Sequence, residues 1–243
     1  MSTDLRGRVA LVTGASGGIG SDLAVRLAAA GCDVAVHWSG NEAAARGVAD
    51  RVREHGVRAA VLQADLADPA QAGGLVDAVE RELGPVDVLV PTAGVNLPVQ
   101  AVEDLSFDDW SRTIAVNLTA PFLLAQRAVP GMVERRFGRV LFVSSVAAFT
   151  GGMVGPHYAA SKSGLHGMLQ WLAKRTAKDG VTVNAIAPAL VASGMVPDDL
   201  DASAIPVDRI GQPEEVGELA MAMLTNAYLT GKVFLADGGM FAH

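Results

Sequence analysis

The chain has 243 residues, of which half are hydrophobic and 19% are charged, and its formal net charge is −7. This composition allows a sizeable buried core and is not that of a disordered protein. The acidic balance, without a run rich in lysine and arginine, disfavours binding to nucleic acid or to an anionic membrane.

Seven short apolar runs are spread over the whole chain, separated by longer segments with helical spacing of apolar residues, such as 19–30 and 43–55. The runs are apolar at nearly every position, which is typical of strands that helices cover on both faces. The predicted strands are 9–13, 33–37, 58–63, 86–90, 139–143, 181–186 and 232–235. Their alternation with helices predicts an α/β fold, a doubly wound parallel sheet of Rossmann type built from right-handed crossovers. Since there is neither a linker nor a repeat, we expect residues 1–243 to form a single domain.

A glycine-rich turn lies between the first predicted strand and the first predicted helix. Residues 13–20 read Thr-Gly-Ala-Ser-Gly-Gly-Ile-Gly, with the spacing Gly-x-x-x-Gly-x-Gly. Such a turn lets the backbone approach a pyrophosphate, whose charge then rests on the N-terminus of the helix. No Lys-Ser or Lys-Thr pair follows the last glycine, which disfavours a nucleoside triphosphate loop. A glycine-rich connection without a ligand is the alternative. The candidate cofactor-binding residues here are Gly14, Ser16, Gly18, Ile19 and Gly20.

The segment after the second predicted strand bears on the choice of cofactor. A protein that prefers NAD usually has an aspartate or glutamate here for the adenosine ribose, whereas this chain has no carboxylate between Val36 and Glu42. An uncharged turn with hydroxyl and amide groups can accept a 2′-phosphate, so NADP is favoured. No arginine or lysine in this turn holds the phosphate, and NAD stays open. Trp38 and Ser39 are the candidates for contact with the cofactor.

Tyr158 and Lys162 are four residues apart, a spacing that places both side chains on one face of a helix. An unperturbed tyrosine titrates at a pH of about 10. A neighbouring cation favours the phenolate and lowers the pKa of the tyrosine toward the working range. The pair is therefore a candidate for proton transfer, and a tyrosine–lysine pair on a solvated helix face is the alternative.

Two polar residues complete the candidate catalytic set. Ser145 closes the fifth predicted strand, and functional groups in open parallel sheets gather at the carboxyl ends of the strands. Its hydroxyl could hold a substrate oxygen on which charge develops. Asn117 is a polar residue in an otherwise apolar helical stretch. The alternatives are a serine loop with local backbone hydrogen bonds and a core amide that the backbone satisfies.

Taken together and in this order, the motifs resemble those of the short-chain dehydrogenase/reductase family over essentially the whole chain, from Arg8 to Met240. The residues that carry the resemblance are Gly14-x-x-x-Gly18-x-Gly20, Asp65, Ala93-Gly94, Asn117, Ser145, Tyr158-x-x-x-Lys162 and Pro188. Within the family, the turn at 39–42 and the ending at 237–240 look most like those of 3-oxoacyl-acyl carrier protein reductases.

The resemblance implies a role for each polar residue. Tyr158 would be the general acid in ketone reduction or the base in alcohol oxidation. Lys162 would lower the pKa of Tyr158 and hold the nicotinamide ribose. Ser145 would orient the substrate carbonyl, Asn117 would keep a water that connects Lys162 to solvent, and Asp65 would contact adenine.

The resemblance also implies a sheet order of 3-2-1-4-5-6-7, a homotetramer and a substrate lid at 190–210, with residues 188–193 covering the nicotinamide. The further cofactor-binding residues would be Leu66, Ala93, Gly94, Pro188, Val191 and Ser193. The substrate would be a small carbonyl compound or an acyl thioester, with acyl carrier protein as a candidate partner. Its candidate docking residues are Arg127, Arg135, Arg136 and Arg139, for which an ordinary solvated surface is the alternative.

Four positions depart from the family pattern. Pro91 and Thr92 stand where the family usually has two asparagines, whose amides brace the sheet and the cofactor turn. Proline cannot donate a backbone hydrogen bond, but Thr92 keeps a hydroxyl that could supply part of the bracing. Gly17 replaces the basic residue of many NADP-preferring members, and Ala189 replaces a glycine.

Two histidines lie near the tyrosine in sequence. His157 directly precedes Tyr158 and could face the substrate, with a plain loop histidine as the alternative. His166 follows on the same predicted helix, and we expect it to be a packing residue.

Cys32 is the only cysteine, which excludes an internal disulfide and a metal site built from several cysteines. A lone cysteine fits a reducing cytoplasm. The N-terminus lacks the apolar core of a secretory signal, and no stretch reaches the roughly 18 apolar residues of a membrane helix. We therefore expect a cytoplasmic protein without a membrane segment and without a metal.

The leading hypothesis is an oxidoreductase that transfers a hydride between NADP(H) and a ketone or secondary alcohol, a ketoreductase of the 3-oxoacyl thioester or a related type. A dinucleotide-binding sensor or scaffold with little turnover is the alternative, motivated by the altered residues Pro91 and Thr92. The carbonyl compound stays open among thioesters, polyketide-like ketones, sugars, steroids and small cyclic ketones, because one fold hosts many functions.

Overall fold

A parallel sheet of seven strands runs through the middle of the molecule. The computed structural model describes residues 3–193, 202–203 and 205–241. Within these ranges the strands are β1 (Val9–Thr13), β2 (Asp33–Trp38), β3 (Ala59–Gln63), β4 (Val86–Pro91), β5 (Gly138–Val143), β6 (Val181–Pro188) and β7 (Val233–Ala236). Their order is β3-β2-β1-β4-β5-β6-β7, and every neighbouring pair is parallel. The predicted fold class and sheet order are confirmed.

Helices connect the strands. They are α1 (Gly18–Ala29), α2 (Glu42–Arg53), α3 (Pro69–Glu82), α4 (Phe107–Ile114), α5 (Ala120–Glu134), α6 (Ala147–Thr150), α7 (Pro156–Thr176) and α8 (Pro213–Leu224). A π-helical segment, Ala115–Thr119, joins α4 to α5, and 3-10 turns lie at Val102–Asp104 and Ala177–Asp179. Polar side chains cap several helix starts: Asn41, for example, accepts a hydrogen bond from the N–H of Ala44 at 3.0 Å.

Two hydrophobic cores lie on opposite faces of the sheet. One is formed with α3, α5 and α7, and the other with α1, α2 and α8. Strands β1, β4, β5 and β6 are buried at every position. This two-sided coverage is the reason that their sequences are mostly apolar, with single buried polar residues such as Asp87, Thr182 and Asn184.

The chain reverses its direction of winding between β1 and β4. From β1 it proceeds outward to β2 and β3, and it then returns to place β4 on the other side of β1. The loops at the carboxyl ends of β1 and β4 therefore leave in opposite directions and open a crevice, where open α/β sheets bind their ligands.

Strands β4 and β6 are longer than the sequence predicts. Pro91 still pairs with Thr13, and Pro188 pairs with Ala236. A proline is tolerated there because each is the last residue of its strand, where the missing N–H interrupts no further bond of the ladder. A loop that enters the crevice begins directly after each of these prolines.

The predicted lid falls partly outside the described residues. Positions 194–201 and 204 are not described, whereas Val191 forms an isolated bridge with Gly211 and Ile205 is buried. Among the helices of the described ranges, none combines the length and apolar character that crossing a membrane requires.

Candidate active site

A cleft of about 680 Å³ opens at the carboxyl ends of the strands. Its lining comes from the loops after β1 to β6 and from the C-terminal segment. Almost all of the candidate residues line it: Gly14, Ser16, Gly18, Ile19, Gly20, Ser39, Asp65, Leu66, Ala93, Gly94, Ser145, Tyr158, Lys162, Pro188, Val191 and Ser193. Asn117 is buried beneath the lining, and Trp38 lies outside it.

The glycine turn is held close to two other backbone segments. Gly14 and Gly18 have φ angles of +63° and +52°, which favour glycine. A Cβ atom at Gly14 would stand 2.8 Å from the Cα of Ala93, and one at Gly18 would stand 2.9 Å from the Cβ of Ser193. The turn therefore tolerates no side chain at these two positions, and it leaves room for a pyrophosphate at the N-terminus of α1.

His37 fixes the glycine turn from the neighbouring strand. Its Nδ1 accepts a hydrogen bond from the N–H of Gly14 at 3.1 Å, and its Nε2 lies 3.1 Å from the carbonyl oxygen of Ala64. Because a backbone N–H donates and a carbonyl accepts, the ring must be the neutral tautomer with its hydrogen on Nε2. Burial lowers the pKa of His37 to about 4 and so keeps this tautomer at neutral pH.

The sequence singles out Trp38, the residue next to His37. Side chains alternate between the two faces of a strand, so Trp38 points away from the cleft and packs against the core of α1, α2 and α8. Both faces of β2 are buried. The apolar residues of β2 therefore lie on both faces, and their pattern in the sequence does not show which of His37 and Trp38 points to the cleft.

Two threonine hydroxyls brace the glycine turn, and one of them belongs to Thr92, at a position where the family usually has an asparagine. The hydroxyl of Thr92 donates a hydrogen bond to the carbonyl oxygen of Thr13. The hydroxyl of Thr13 accepts one from the N–H of Ala93 at 3.1 Å. The loops after β1 and β4 are therefore tied together although Pro91 contributes no donor.

Tyr158 lies in the first turn of α7, and its phenol shares the cleft with Ser145 from the end of β5. Burial raises the pKa of Tyr158, and its hydrogen bond with Ser145 lowers it, burial being the larger effect. The Ser145 hydroxyl oxygen also accepts a hydrogen bond from the N–H of Ala147 at 3.1 Å, which fixes its orientation. At neutral pH the tyrosine therefore carries the proton that a general acid gives away.

Lys162 lies beneath the tyrosine. Its Nζ donates a hydrogen bond to the carbonyl oxygen of Val143 at 2.9 Å and lies 5.7 Å from the centroid of the Tyr158 ring. Burial lowers the pKa of Lys162 to about 8. The ammonium is thus largely charged at neutral pH. The pKa of Tyr158 is nevertheless raised, because burial of the phenol is the largest effect on it.

Asn117 lies in the π-helical segment between α4 and α5 and holds two parts of the site together. Its Oδ1 accepts a hydrogen bond from the N–H of Val95 at 2.8 Å. Its Nδ2 donates to the carbonyl oxygen of Val95 at 3.1 Å and to the hydroxyl of Ser161 at 3.3 Å. One insertion into the helix thereby connects the loop after β4 to the helix of Tyr158 and Lys162.

The side chains of both histidines near Tyr158 contact other residues of the protein. His157 is buried in α7, where its Nε2 lies 2.9 Å from the carbonyl oxygen of Leu97, so it is neither a loop residue nor one that lines the cleft. His166 packs against Phe149 with ring centroids 4.9 Å apart, and its Nε2 lies 2.8 Å from the hydroxyl of Ser144.

The arginines considered for docking do not form a surface at the cleft. Arg139 is buried, and its guanidinium donates to the carbonyl oxygens of Leu224, Gly138 and Gly180. Arg135 donates to the carbonyl oxygen of Val86, at the start of β4. Arg135, Arg136 and Arg139 therefore lie at the amino-terminal ends of the strands, opposite the cleft. Arg127 pairs with Asp77 on α3. Arg139 is therefore not available for docking, whereas a docking role of the exposed Arg127 stays a prediction.

The cleft suits a dinucleotide better than a metal ion. Within the described residues there is no group of three or more histidine, cysteine, aspartate or glutamate side chains that could hold a metal. The side-chain-free glycine turn, the hydroxyl of Ser39 and the carboxylate of Asp65 all line the cleft with Tyr158. These residues fit a nicotinamide dinucleotide, with its pyrophosphate at the turn.

Comparison with known proteins yields a family match. The family model of short chain dehydrogenases matches residues 8–203. A 3-oxoacyl-[acyl-carrier-protein] reductase of Synechocystis sp. is 36% identical over 245 residues, covering 98% of this chain and 98% of that protein. An acetoacetyl-CoA reductase of Allochromatium vinosum is 36% identical over 246 residues, covering 97% of this chain and 99% of that protein.

A solved structure has the same fold. A blue fluorescent protein from a metagenomic library, crystallised in complex with NADPH, superimposes with a TM-score of 0.91 at 34% sequence identity. The match covers 99% of this chain and 100% of that one.

The contacts of His37 predict that its δ nitrogen holds the cofactor turn. His37→Leu leaves the N–H of Gly14 without an acceptor, and we expect the dissociation constant of NADPH to rise about ten-fold, since an orphaned buried donor costs on the order of 1–3 kcal/mol. His37→Asn keeps an acceptor at the δ position and should stay close to the original affinity. Titration calorimetry, with thermal unfolding of each variant measured alongside, checks this.

His37→Gln is the matched control, because it keeps a donor at the ε position for Ala64 and loses the δ acceptor. The interpretation is wrong if the glutamine variant binds NADPH as tightly as the original protein while the asparagine variant does not.

Proposed function

Because the chain belongs to the short chain dehydrogenase family, we propose that it is a ketoreductase that transfers a hydride between NADP(H) and a ketone or secondary alcohol. The observation that carries the proposal is that Tyr158, Lys162 and Ser145 line the same cleft as the glycine turn. Among ketones, 3-oxoacyl thioesters and related compounds are the class we favour, because the Synechocystis and Allochromatium relatives are reductases of such thioesters by name.

NADPH, when bound, supplies the hydride to the carbonyl carbon. Ser145 donates a hydrogen bond to the carbonyl oxygen while negative charge develops there. Tyr158, which burial keeps protonated, gives its proton to that oxygen and becomes a phenolate. The buried ammonium of Lys162 stabilises the phenolate. Asn117 is a positioning residue, because its hydrogen bonds hold Val95 and Ser161 on the two sides of the site.

The choice of NADP over NAD rests on the turn after β2. Ser39 and Gly40 line the cleft, and no carboxylate of this turn does. Glu42, the first acidic residue, begins α2 and is paired with Arg46 at 2.6 Å. A 2′-phosphate at Ser39 would therefore meet hydroxyl and backbone groups without a neighbouring negative charge. The NADPH complex of the metagenomic relative supports the same cofactor.

The sensor or scaffold alternative loses its motivation. It depended on a cofactor site weakened by Pro91 and Thr92. The hydrogen bonds of Thr92 with Thr13 and of Thr13 with Ala93 supply a brace at that place. An intact proton-transfer set beside a braced turn supports turnover.

Assembly and location belong to the proposal as well. The homotetramer is supported by large apolar side chains that are exposed on α4 and α5. They are Phe107 (79% exposed), Trp110 (36%) and Phe122 (45%). Acyl carrier protein remains a candidate carrier of the substrate, and a cytoplasmic location remains a prediction of the single cysteine.

Tyr158→Phe removes the proton donor and keeps the ring. We expect kcat for ketone reduction to fall about a thousand-fold, while the dissociation constant of NADPH changes less than about three-fold. Steady-state kinetics with NADPH and acetoacetyl-CoA checks this. Tyr228→Phe is the matched control, because Tyr228 is the other tyrosine of the chain and is 99% exposed. Near-original turnover of the Tyr158 variant would contradict the mechanism.

The pKa of Lys162 predicts an alkaline limit to reduction. The ammonium is present below its pKa of about 8 and is lost as the pH rises through that value. We therefore expect kcat/KM for the ketone to decline above pH 8, because the phenolate loses its stabilising charge. The residual activity of Lys162→Arg should lack this decline, since a guanidinium stays charged. An unchanged decline in the arginine variant would exclude Lys162 as its origin.

Ser39→Asp places a carboxylate where we assign the 2′-phosphate. Repulsion between the two anions should lower kcat/KM with NADPH by at least about ten-fold and leave kcat/KM with NADH unchanged or improved. Ser39→Ala, which adds no charge, is the control and should preserve the preference for NADPH. Equal losses with both cofactors would show that the 2′-phosphate does not bind at this turn.

A further inference from the structure

One part of the cleft wall is apolar and carries no charge among the described residues. It is built from the α6–α7 region and from the C-terminal segment. Its members are Ala147, Thr150, Gly152, Met153, Val154, Met240 and Phe241. The side chains of Met153 and Met240 are 72% and 38% exposed, although they are hydrophobic. Exposed apolar groups at the rim of a pocket are typical of a surface that a ligand covers.

The one aromatic ring among these wall residues is supported by a second ring. Phe241 lines the cleft and is stacked on Phe149, with ring centroids 5.6 Å apart and an interplanar angle of 30°. Phe149 is 40% exposed. Stacked rings at this separation attract each other beyond their buried area. Phe149 is not one of the residues that line the cleft, so its ring supports that of Phe241.

The C-terminal turn aims Phe241 at the cleft. The carboxylate of Asp237 accepts hydrogen bonds from the N–H of Gly239 at 3.0 Å and from the N–H of Phe241 at 2.9 Å. Gly238 packs against the chain at 205–207, because a Cβ atom there would stand 2.7 Å from Ile205 and from Val207. The last described residues are therefore ordered by specific contacts, and Phe241 has a defined place.

Phe149 is supported by His166 on α7, which in turn contacts Ser144 after β5. Its ring packs on His166, whose Nε2 lies 2.8 Å from the hydroxyl of Ser144. Ser144 directly precedes Ser145, and its N–H is bonded to the carbonyl oxygen of Ile186 in β6. The aromatic wall and the serine that orients the carbonyl are therefore connected through contacts of buried or half-buried groups.

We propose that Phe241, held in place by the ring of Phe149, receives the apolar substituent of the ketone and selects the substrate. The substrate class that follows is an uncharged ketone with an alkyl or aryl substituent, in preference to a sugar or a short polar ketone. A hydroxylated substituent would lose its water at this wall without gaining a hydrogen-bond partner. Each methylene group placed against it should instead improve binding about four-fold. This inference rests on the proposed ketoreductase function.

The test uses two substrates that differ only in the apolar tail, the N-acetylcysteamine thioesters of 3-oxobutanoate and 3-oxooctanoate, with NADPH. The original protein should prefer the longer substrate. In Phe241→Ala and Phe149→Ala, kcat/KM for the longer substrate should fall about ten-fold, mainly through KM. For the shorter one it should change less than about two-fold, and the dissociation constant of NADPH should not change.

Two further variants separate selection from general damage. Phe241→Leu keeps an apolar side chain and should retain most of the preference, which also covers the case in which an alanine variant does not fold. Phe234→Ala truncates an aromatic residue of similar exposure, 37%, that lies on β7 outside the cleft lining, and it should leave both substrates unaffected.

An unchanged ratio of kcat/KM between the two thioesters in Phe241→Ala and Phe149→Ala would overturn the role of the wall and leave the ketoreductase function standing. If the original protein oxidised no NADPH with either thioester or with other ketones, the proposed function itself would fail, and the substrate selection with it.

Discussion

The close approach of the loops after β1 and β4 is the constraint on which the site depends. Gly14 can lie against the backbone of Ala93 only because it has no side chain. The hydroxyls of Thr13 and Thr92 tie the same two loops together. Since these loops leave the sheet in opposite directions, their contact forms the floor of the crevice and determines where a pyrophosphate can rest. His37 adds a third support from β2.

Burial governs the chemistry above this floor. The same low-polarity surroundings raise the pKa of Tyr158 and lower that of Lys162, because each shift favours the neutral form of its group. The phenol thus keeps its proton, and the ammonium lies close to the point of losing one. Tyr158 therefore holds the proton that the ketone oxygen receives, and Lys162 supplies a positive charge beside the phenolate that remains. Ser145 is hydrogen-bonded to Tyr158, and Asn117 holds α7 through Ser161, the neighbour of Lys162.

The fold could be predicted well because its main signal is local. Strands that are buried on both faces are continuous apolar runs, and helices between them imply a parallel sheet. The strand order came from resemblance and was confirmed. The bounds differ by one or two residues in most strands. Two of these differences are at Pro91 and Pro188, because a proline can close a ladder without donating to it.

The predictions about individual side chains were less accurate. Arg139 was considered for a docking surface, although it lies inside a strand and is buried with its guanidinium bonded to carbonyl oxygens. A charged residue in an apolar run leaves two interpretations open, and only the packing of α8 and the neighbouring loops against β5 decides between them. His157 is a similar case, because the carbonyl that it contacts belongs to Leu97, which is 60 residues away in sequence.

The sequence by itself determined the class of fold, the glycine turn and the residue types of the proton-transfer set. These depend on short-range spacing and on chemistry that each residue type carries with it. Only the tertiary structure decided that His37 and not Trp38 faces the cleft. It also showed that the hydroxyls of Thr13 and Thr92 tie the two loops together in the absence of the usual asparagines, and that Phe241 stacks on Phe149. The reason is that these contacts join segments far apart in the chain, and nothing in the local pattern of a strand or a loop records which distant partner will lie against it.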